Sequence, residues 1–328
     1  MALYHYTNLD ALTSIIQNNE LWFTHINYMN DSQELYEGLD KIVDRWLYKR
    51  RLKRHIKSTQ LNIPPEDLRK EFEAMWDNRL HREIYRESEA FLEEIEKFRT
   101  NCNIFVMSFS ESSDLLSQWR GYSNLSQGYC IEFDEGRLNE QLNRQQKMFN
   151  ADESMQFSLQ QCMYSDETSN KLIEEHSDKL MSKEPYDLLE INEDDFERYY
   201  AKYDIQSNLV EDKHYAVIYE KVHNLLSNIL ITAANIKNNS FREEKEKRAA
   251  IYLSNECASR VSYRNKNGVL IPFFKLPITE NVIESITLGP GPNAELAAAS
   301  LAQYLTQKFE NADVPKVHIS ETPFRDSL

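Results

Sequence analysis

The chain has 328 residues, of which 41% are hydrophobic and 28% are charged, and its formal net charge is −15 at pH 7. This composition is typical of a soluble globular protein, and the negative charge argues against a broad nucleic-acid-binding surface. No apolar run reaches the roughly 18 residues of a membrane span, and the first residues lack a signal-peptide pattern, so we expect a cytoplasmic protein without a membrane partner. The four cysteines form no C-x-x-C pair, which favours buried free thiols over metal ligands or disulfides.

The first thirty residues predict a strand, a helix, a second strand and a turn. Asn8 is a good helix N-cap, and the apolar residues after it recur on one helical face until the helix ends near Asn18. His5 and Thr7 therefore lie at the end of the first strand, where polar side chains often contact ligands. The alternative for His5 is a buried histidine with a structural role.

A helical block is predicted from about residue 33 to 100, and it contains a basic run from Lys49 to Lys57. The cations of this run fall on several helix faces, which is typical of a solvated helix end. The alternative is a docking surface that contacts nucleic acid. The members of the run are Lys49, Arg50, Arg51, Lys53, Arg54 and Lys57.

The rest of the chain alternates between strand patterns and charged helical stretches. A second helical block is predicted at about 167–255. The two blocks, at 33–100 and 167–255, are interpreted as helical insertions into a single α+β domain that spans residues 1–328. Strands are predicted at 102–110, 128–133, 156–164, 260–263, 269–274, 283–288 and 317–319, and a helix at 294–309.

A series of short motifs, taken in order, resembles the bacterial family of domains of unknown function 2971 (DUF2971). The series begins with His5-Tyr6-Thr7 and continues with Ser108-Phe109-Ser110-Glu111 and Leu116-Ser117-Gln118-Trp119-Arg120-Gly121-Tyr122. Further matches are Phe241, Glu244, Glu246 and Arg248, followed by Leu288-Gly289-Pro290 and Pro323-Phe324-Arg325.

This family looks like a remote branch of the ADP-ribosyltransferase superfamily. The resemblance implies a split, mainly antiparallel sheet with large helical insertions and NAD as the cofactor that is consumed. It also implies transfer of ADP-ribose to a protein or nucleic-acid acceptor, in a bacterial toxin or phage-defence effector. Two alternatives remain open: an NAD glycohydrolase, and a non-catalytic module that binds a nucleotide or a partner protein.

The resemblance also implies the residues of the site. Cleavage of the bond between nicotinamide and ribose develops positive charge on the sugar, and a nearby carboxylate stabilises this charge. Glu246 is assigned this role. Glu244 is assigned to orient or deprotonate the incoming nucleophile. The alternative for both is a solvated helical charge run at residues 242–248. His5 completes the catalytic set. The predicted NAD-binding residues are His5, Tyr6, Thr7, Ser108, Ser110, Trp119, Arg120 and Tyr122, with Arg120 as a pyrophosphate clamp and the aromatic residues as stacking partners.

Overall fold

The computed structural model describes residues 1–29, 103–122, 127–149, 155–165, 227–228, 230–309 and 313–322, together with Gly38. The chain divides into two compact units. The first comprises Met1–Glu34, Asn103–Asp166 and Ala234–Leu328, and the second comprises Leu35–Cys102 and Glu167–Ala233. Nearly all described residues belong to the first unit. The basic run from Lys49 to Lys57 lies outside the described residues.

The N-terminal segment folds as its pattern predicts. Strand β1 (Ala2–Thr7) is followed by helix α1 (Leu9–Asn18) and strand β2 (Glu20–His25). The Asn8 side chain accepts a hydrogen bond from the backbone N–H of Ala11 at 2.9 Å, which caps the helix start. Asn19 adopts a left-handed conformation with φ of 51° and ends the helix.

The remaining described elements alternate between strands and short helices. Short 3-10 helices cover Ile26–Tyr28, Asn239–Glu244, Asn255–Arg260 and Glu280–Val282. The α-helices are α2 (Leu116–Tyr122), α3 (Glu135–Gln146) and α4 (Ala294–Lys308). The strands are β3 (Ile104–Ser110), β4 (Tyr129–Asp134), β5 (Met155–Gln161), β6 (Met163–Ser165), β7 (Ile236–Asn238), β8 (Glu246–Leu253), β9 (Val261–Lys266), β10 (Val269–Pro277), β11 (Ile283–Leu288) and β12 (Lys316–Ile319).

The predicted helical block at 167–255 extends too far towards the C-terminus. Residues 236–238 and 246–253 of this range are strands β7 and β8. Strand β8 pairs along its length with β3 on one edge and β5 on the other, and its last residues are fully buried. Pairing on both edges outweighs the local helix preference of Ala249 and Ala250, because tertiary context overrides intrinsic propensity.

The fold is α+β, with a mostly antiparallel sheet. Ten strands form one sheet, which runs β12-β11-β4-β1-β3-β2-β10-β9 and carries β8 and β5 as a branch from β3. Strands β11 and β12 pair in parallel, and β6 and β7 form a separate parallel pair. Among the described residues, no helix is long and apolar enough to span a membrane.

Strand β3 has two different neighbours on one of its edges. Strand β8 pairs with β3 along its entire length, from Ile104 to Ser110. On the opposite edge, β1 pairs only at Ser110, while β2 pairs at Val106 and Phe105. Strands β1 and β2 therefore diverge along β3, and the sheet is split at residues 107–109.

The two faces of β3 differ in polarity. Met107 and Phe109 are buried in the main hydrophobic core with residues of α1, α3 and α4. Because successive side chains of a strand point to opposite faces, Ser108 and Ser110 lie on the other face. This arrangement selects one of the two orientations that the sequence alone left open, and it directs the serines towards the split.

Candidate functional site

A cavity of about 420 Å³ opens at the split of the sheet. Its walls come from β1, the 3-10 helix after β2, β3, α2, β7, the 3-10 helix before β8, and β8 itself. The lining residues are Tyr4, His5, Tyr6, Ile26, Met29, Ser108, Phe109, Ser110, Gln118, Lys237, Phe241, Glu244, Glu246 and Arg248.

A second groove, of about 520 Å³, lies on the surface between α3 and the segment before β11. Some of its polar side chains are already hydrogen-bonded: Gln141 donates to Thr279 at 3.1 Å, and Arg137 donates to Glu284, which is not a lining residue, at 2.7 Å. It contains no histidine or nucleophilic group beyond a threonine. The cavity at the split is therefore the stronger candidate for a functional site.

A hydrogen bond to the backbone of Ser108 selects one tautomer of His5. Its Nδ1 lies 2.9 Å from the backbone oxygen of Ser108, and since a carbonyl can only accept, Nδ1 carries the proton. Burial lowers the pKa of His5 below its ordinary value of 6.5, although the bond to Ser108 opposes this. The ring is thus neutral at pH 7, and Nε2 has no hydrogen-bond partner among the described residues. Nε2 can accept a hydrogen bond from a ligand.

Glu246 is a buried carboxylate between two cations. One oxygen accepts from Nε of Arg248 at 2.7 Å, and the other binds Nζ of Lys237. The backbone N–H of Glu246 donates to the hydroxyl of Tyr164 at 2.8 Å. Burial raises the pKa of the Glu246 carboxyl, but Arg248 and Lys237 outweigh it and lower the pKa to about 2. Glu246 is therefore charged at pH 7, and both of its oxygens are engaged.

Lys237 joins the two glutamates of the site. Its Nζ also lies 2.7 Å from Oε2 of Glu244 and 4.9 Å from the centre of the Phe241 ring. Burial lowers the pKa of Lys237, but Glu246 and Glu244 outweigh this and raise it above its ordinary value. The side chain of Glu244 is 28% exposed, against 4% for that of Glu246. The Oε1 atom of Glu244 has no partner within the described part of the chain.

The predicted NAD-binding residues fall into two groups. Tyr6, Ser108 and Ser110 line the cavity with His5 and the two glutamates. Ser110 donates to the backbone oxygen of Glu244 at 3.1 Å, which fixes the loop that enters β8. The hydroxyl of Tyr6 donates to the backbone oxygen of Ser112 at 2.8 Å, so this side chain forms a wall rather than a free donor.

The other predicted binding residues do not line the cavity. Thr7 is buried, and Trp119 is 1% exposed with its ring against that of Tyr6. A stacking role for Trp119 does not fit this position, because the ring is packed inside the protein. Arg120 is exposed and is not among the residues that line the cavity, and the side chain of Tyr122 lies outside the described residues.

Asp114 holds α2 against the end of the chain. Its carboxylate accepts from Nε1 of Trp119 at 2.6 Å, from the Ser320 hydroxyl at 2.5 Å and from the Thr322 hydroxyl at 2.8 Å. Burial raises the pKa of Asp114, but these hydrogen bonds lower it overall. Helix α2 is therefore anchored on both sides of Gln118, which faces the cavity.

Sequence reasoning missed Lys237 as a site residue. Lys237 is a single lysine in the segment Ala234-Asn235-Ile236-Lys237-Asn238, and no periodicity or motif distinguishes it. Gln118, Phe241 and Arg248 belong to the motifs that carry the resemblance, but no role is predicted for them from the sequence. Within the described residues, no group of three or more His, Cys, Asp or Glu side chains could hold a metal ion.

Comparisons with known proteins support the resemblance to DUF2971 over part of the chain. Neither the curated proteins nor the solved structures include a significant match to the chain. Residues 118–249 match the family model described as a protein of unknown function, DUF2971. This segment begins at Gln118 and includes Lys237, Glu244, Glu246 and Arg248. This segment is therefore similar to the DUF2971 family.

Proposed function

We propose that this protein is an NAD-dependent ADP-ribosyltransferase whose active site is the cavity at the split of the sheet. One observation carries the proposal: His5 of β1, Ser108 of β3 and Glu246 of β8 line the same cavity, together with Glu244 at the end of the 3-10 helix before β8. A histidine, hydroxyl groups and carboxylates around one cleft are the groups that hold a ribose and stabilise positive charge on it.

In the proposed reaction, the bond between the nicotinamide nitrogen and C1′ of the ribose breaks, and the acceptor forms a new bond to C1′. Nicotinamide leaves with the bonding electron pair as a neutral molecule, and the acceptor releases a proton. The neutral His5 accepts a hydrogen bond from a ribose hydroxyl through Nε2. The hydroxyl of Ser108, which lies on the same cavity wall, is a second hydrogen-bonding group for the ribose.

The ion pairs change the roles that the sequence assigned to the two glutamates. Two cations compensate the charge of Glu246, so it has little left to stabilise a cationic ribose. Glu244 has a free oxygen and a more exposed side chain, and it is the better carboxylate for the ribose and for the acceptor proton. Glu246 then acts as a positioning residue: it holds Lys237, and Lys237 holds Glu244.

The same ion pairs favour a second candidate function. If neither carboxylate is released towards a ligand, the cavity binds a nucleotide without cleaving it. The site would then be a non-catalytic binding module. NAD turnover distinguishes this function from both transfer and hydrolysis.

The test measures binding and turnover separately. NAD at millimolar concentration is expected to raise the melting temperature, because a ligand of the native state stabilises it by mass action. Incubation with NAD labelled in the adenylate part, together with a bacterial extract, is expected to release nicotinamide and to label a macromolecule. Protease or nuclease digestion identifies the acceptor class, and release without labelling indicates hydrolysis. The role of the basic run in docking an acceptor stays a prediction.

Glu244→Gln is the decisive variant. It keeps the shape of the side chain but removes its charge, so turnover is expected to fall about a hundred- to a thousandfold while NAD still binds. The matched control is Glu284→Gln, which removes a carboxylate from an exposed ion pair away from the cavity and should keep wild-type turnover. Wild-type turnover in Glu244→Gln contradicts the assigned role, and absence of both binding and turnover in the wild type refutes the proposed function.

A further inference from the structure

Gln118 lines the cavity with a carboxamide that makes no hydrogen bond to any of the described residues. The residue is 9% exposed and lines the cavity from α2. Among the residues that the structure describes, its side chain makes no hydrogen bond, and its amide atoms are not sealed away from the cavity. Most buried polar groups in proteins are hydrogen-bonded, since an unpaired one costs free energy. The amide donor and acceptor of Gln118 are therefore available to a ligand.

The position of Gln118 is fixed by its neighbours rather than by its own side chain. The next residue, Trp119, is buried and donates through Nε1 to Asp114 at 2.6 Å. Asp114 also binds Ser320 and Thr322, which tie α2 to the segment after β12. The backbone of Gln118 is thus held at the cavity wall before a ligand arrives. Such preorganisation lowers the cost of binding.

We infer that Gln118 binds the carboxamide of the nicotinamide group of NAD. A primary carboxamide has a donor and an acceptor in one plane, so two of them can form a pair of hydrogen bonds. The N6/N7 edge of adenine offers a similar pair of groups to a glutamine. The nicotinamide ring is favoured because it is positively charged in NAD, and Glu244, with one free oxygen, lines the same cavity. This inference rests on the proposed function.

The experiment compares dinucleotides that differ at one edge. NAD, its 3-acetylpyridine analogue and its hypoxanthine analogue are titrated calorimetrically against the full chain. The acetyl analogue lacks the amide donor of nicotinamide, and the hypoxanthine analogue lacks the amino group of adenine. We expect the wild type to bind NAD about ten- to a hundredfold more tightly than the acetyl analogue, because the Gln118 oxygen loses its partner.

Two variants should change the ratio of the affinities for NAD and for the acetyl analogue in opposite directions. Gln118→Met has a similar length but makes no such hydrogen bonds, so it should bind both dinucleotides equally and weakly. Gln118→Glu can only accept, and its charged oxygen should increase the preference for NAD over the acetyl analogue. The matched control is Gln303→Met on the exposed surface of α4, which should keep wild-type values. A structural role for Gln118 would weaken both ligands in parallel and would leave their ratio unchanged.

Each contrary result has a separate meaning. Wild-type affinity and discrimination in Gln118→Met overturn the inference while the proposed function stands. If Gln118→Met instead loses the wild type's discrimination between NAD and the hypoxanthine analogue, Gln118 binds adenine and the nicotinamide assignment is overturned. If the wild type binds none of the three dinucleotides, the proposed function and the inference fail together.

Discussion

Glu246→Gln is expected to destabilise the protein and to weaken its dependence on acid pH. The substitution removes a buried charge from between Lys237 and Arg248. Lys237 keeps Glu244 as a partner, and Arg248 keeps its bond of 2.6 Å to the backbone oxygen of Ala234. The loss is therefore partial. Breaking a buried ion pair typically costs about 3–5 kcal/mol, and this variant should fall at the low end of that range.

The pKa of Glu246 gives an independent magnitude. The folded protein lowers this pKa from 4.5 to about 2. At about 1.4 kcal/mol per pKa unit, the charge contributes about 3 kcal/mol to the free energy of unfolding at pH 7. Because the folded pKa is depressed, this contribution is present above pH 4.5 and is lost as the pH falls towards 2. The difference between wild type and variant should shrink by about 1 kcal/mol between pH 7 and pH 3.5.

Hydrogen–deuterium exchange of peptides from β3 and β8 is the appropriate measurement. The chain has two compact units, so a global denaturation curve would combine two transitions, whereas these peptides report on the unit that contains Glu246. The control Glu284→Gln changes an exposed ion pair, and its effect should stay within about 1 kcal/mol. An unchanged opening free energy in Glu246→Gln, or a difference that does not shrink in acid, would refute the buried-ion-pair argument.

Two further predictions test the cavity residue His5 and the buried residue Trp119. Burial lowers the pKa of His5 below 6.5, so NAD affinity should stay constant from about pH 8 down to pH 6.5 and fall only in more acid solution; a titration midpoint above 6.5 would contradict the neutral tautomer. Gly289→Ala should destabilise the protein by about 1–3 kcal/mol, seen as faster hydrogen–deuterium exchange of peptides from α2 and β11, because its methyl group would lie 2.7 Å from the Trp119 ring. Gly121→Ala, where a methyl group meets no atom within 4 Å, is the matched control.

Local patterns predicted most of the elements. The cap at Asn8 and the apolar spacing after it predicted α1, and the structure places the helix start at Leu9. The strand predicted at 283–288 and the helix predicted at 294–309 agree with β11 and α4 to within a residue. These elements were predictable because caps, turns and the periods of helices and strands are short-range properties. They also sufficed for the α+β class.

The charge run at 242–248 shows where local patterns fail. Alternating charges indicated a helix as readily as a strand, and the predicted helical block covered the whole segment. In the structure, Glu246 begins β8, and its charge is buried between cations rather than solvated. The pairing of β8 with β3 and β5 decides this, and neither partner strand lies nearby in the sequence.

The sequence by itself determined the residue types of the candidate site, and the tertiary structure decided their states. His5 and the Ser108 carbonyl that fixes its tautomer are 103 residues apart, and Ser110 binds the backbone of Glu244 across 134 residues. Lys237 gave no signal in the sequence, yet it binds both glutamates of the site. Protonation, burial and ion pairing depend on which groups meet in space, and only the splitting of the sheet along β3 brings these groups to one cavity.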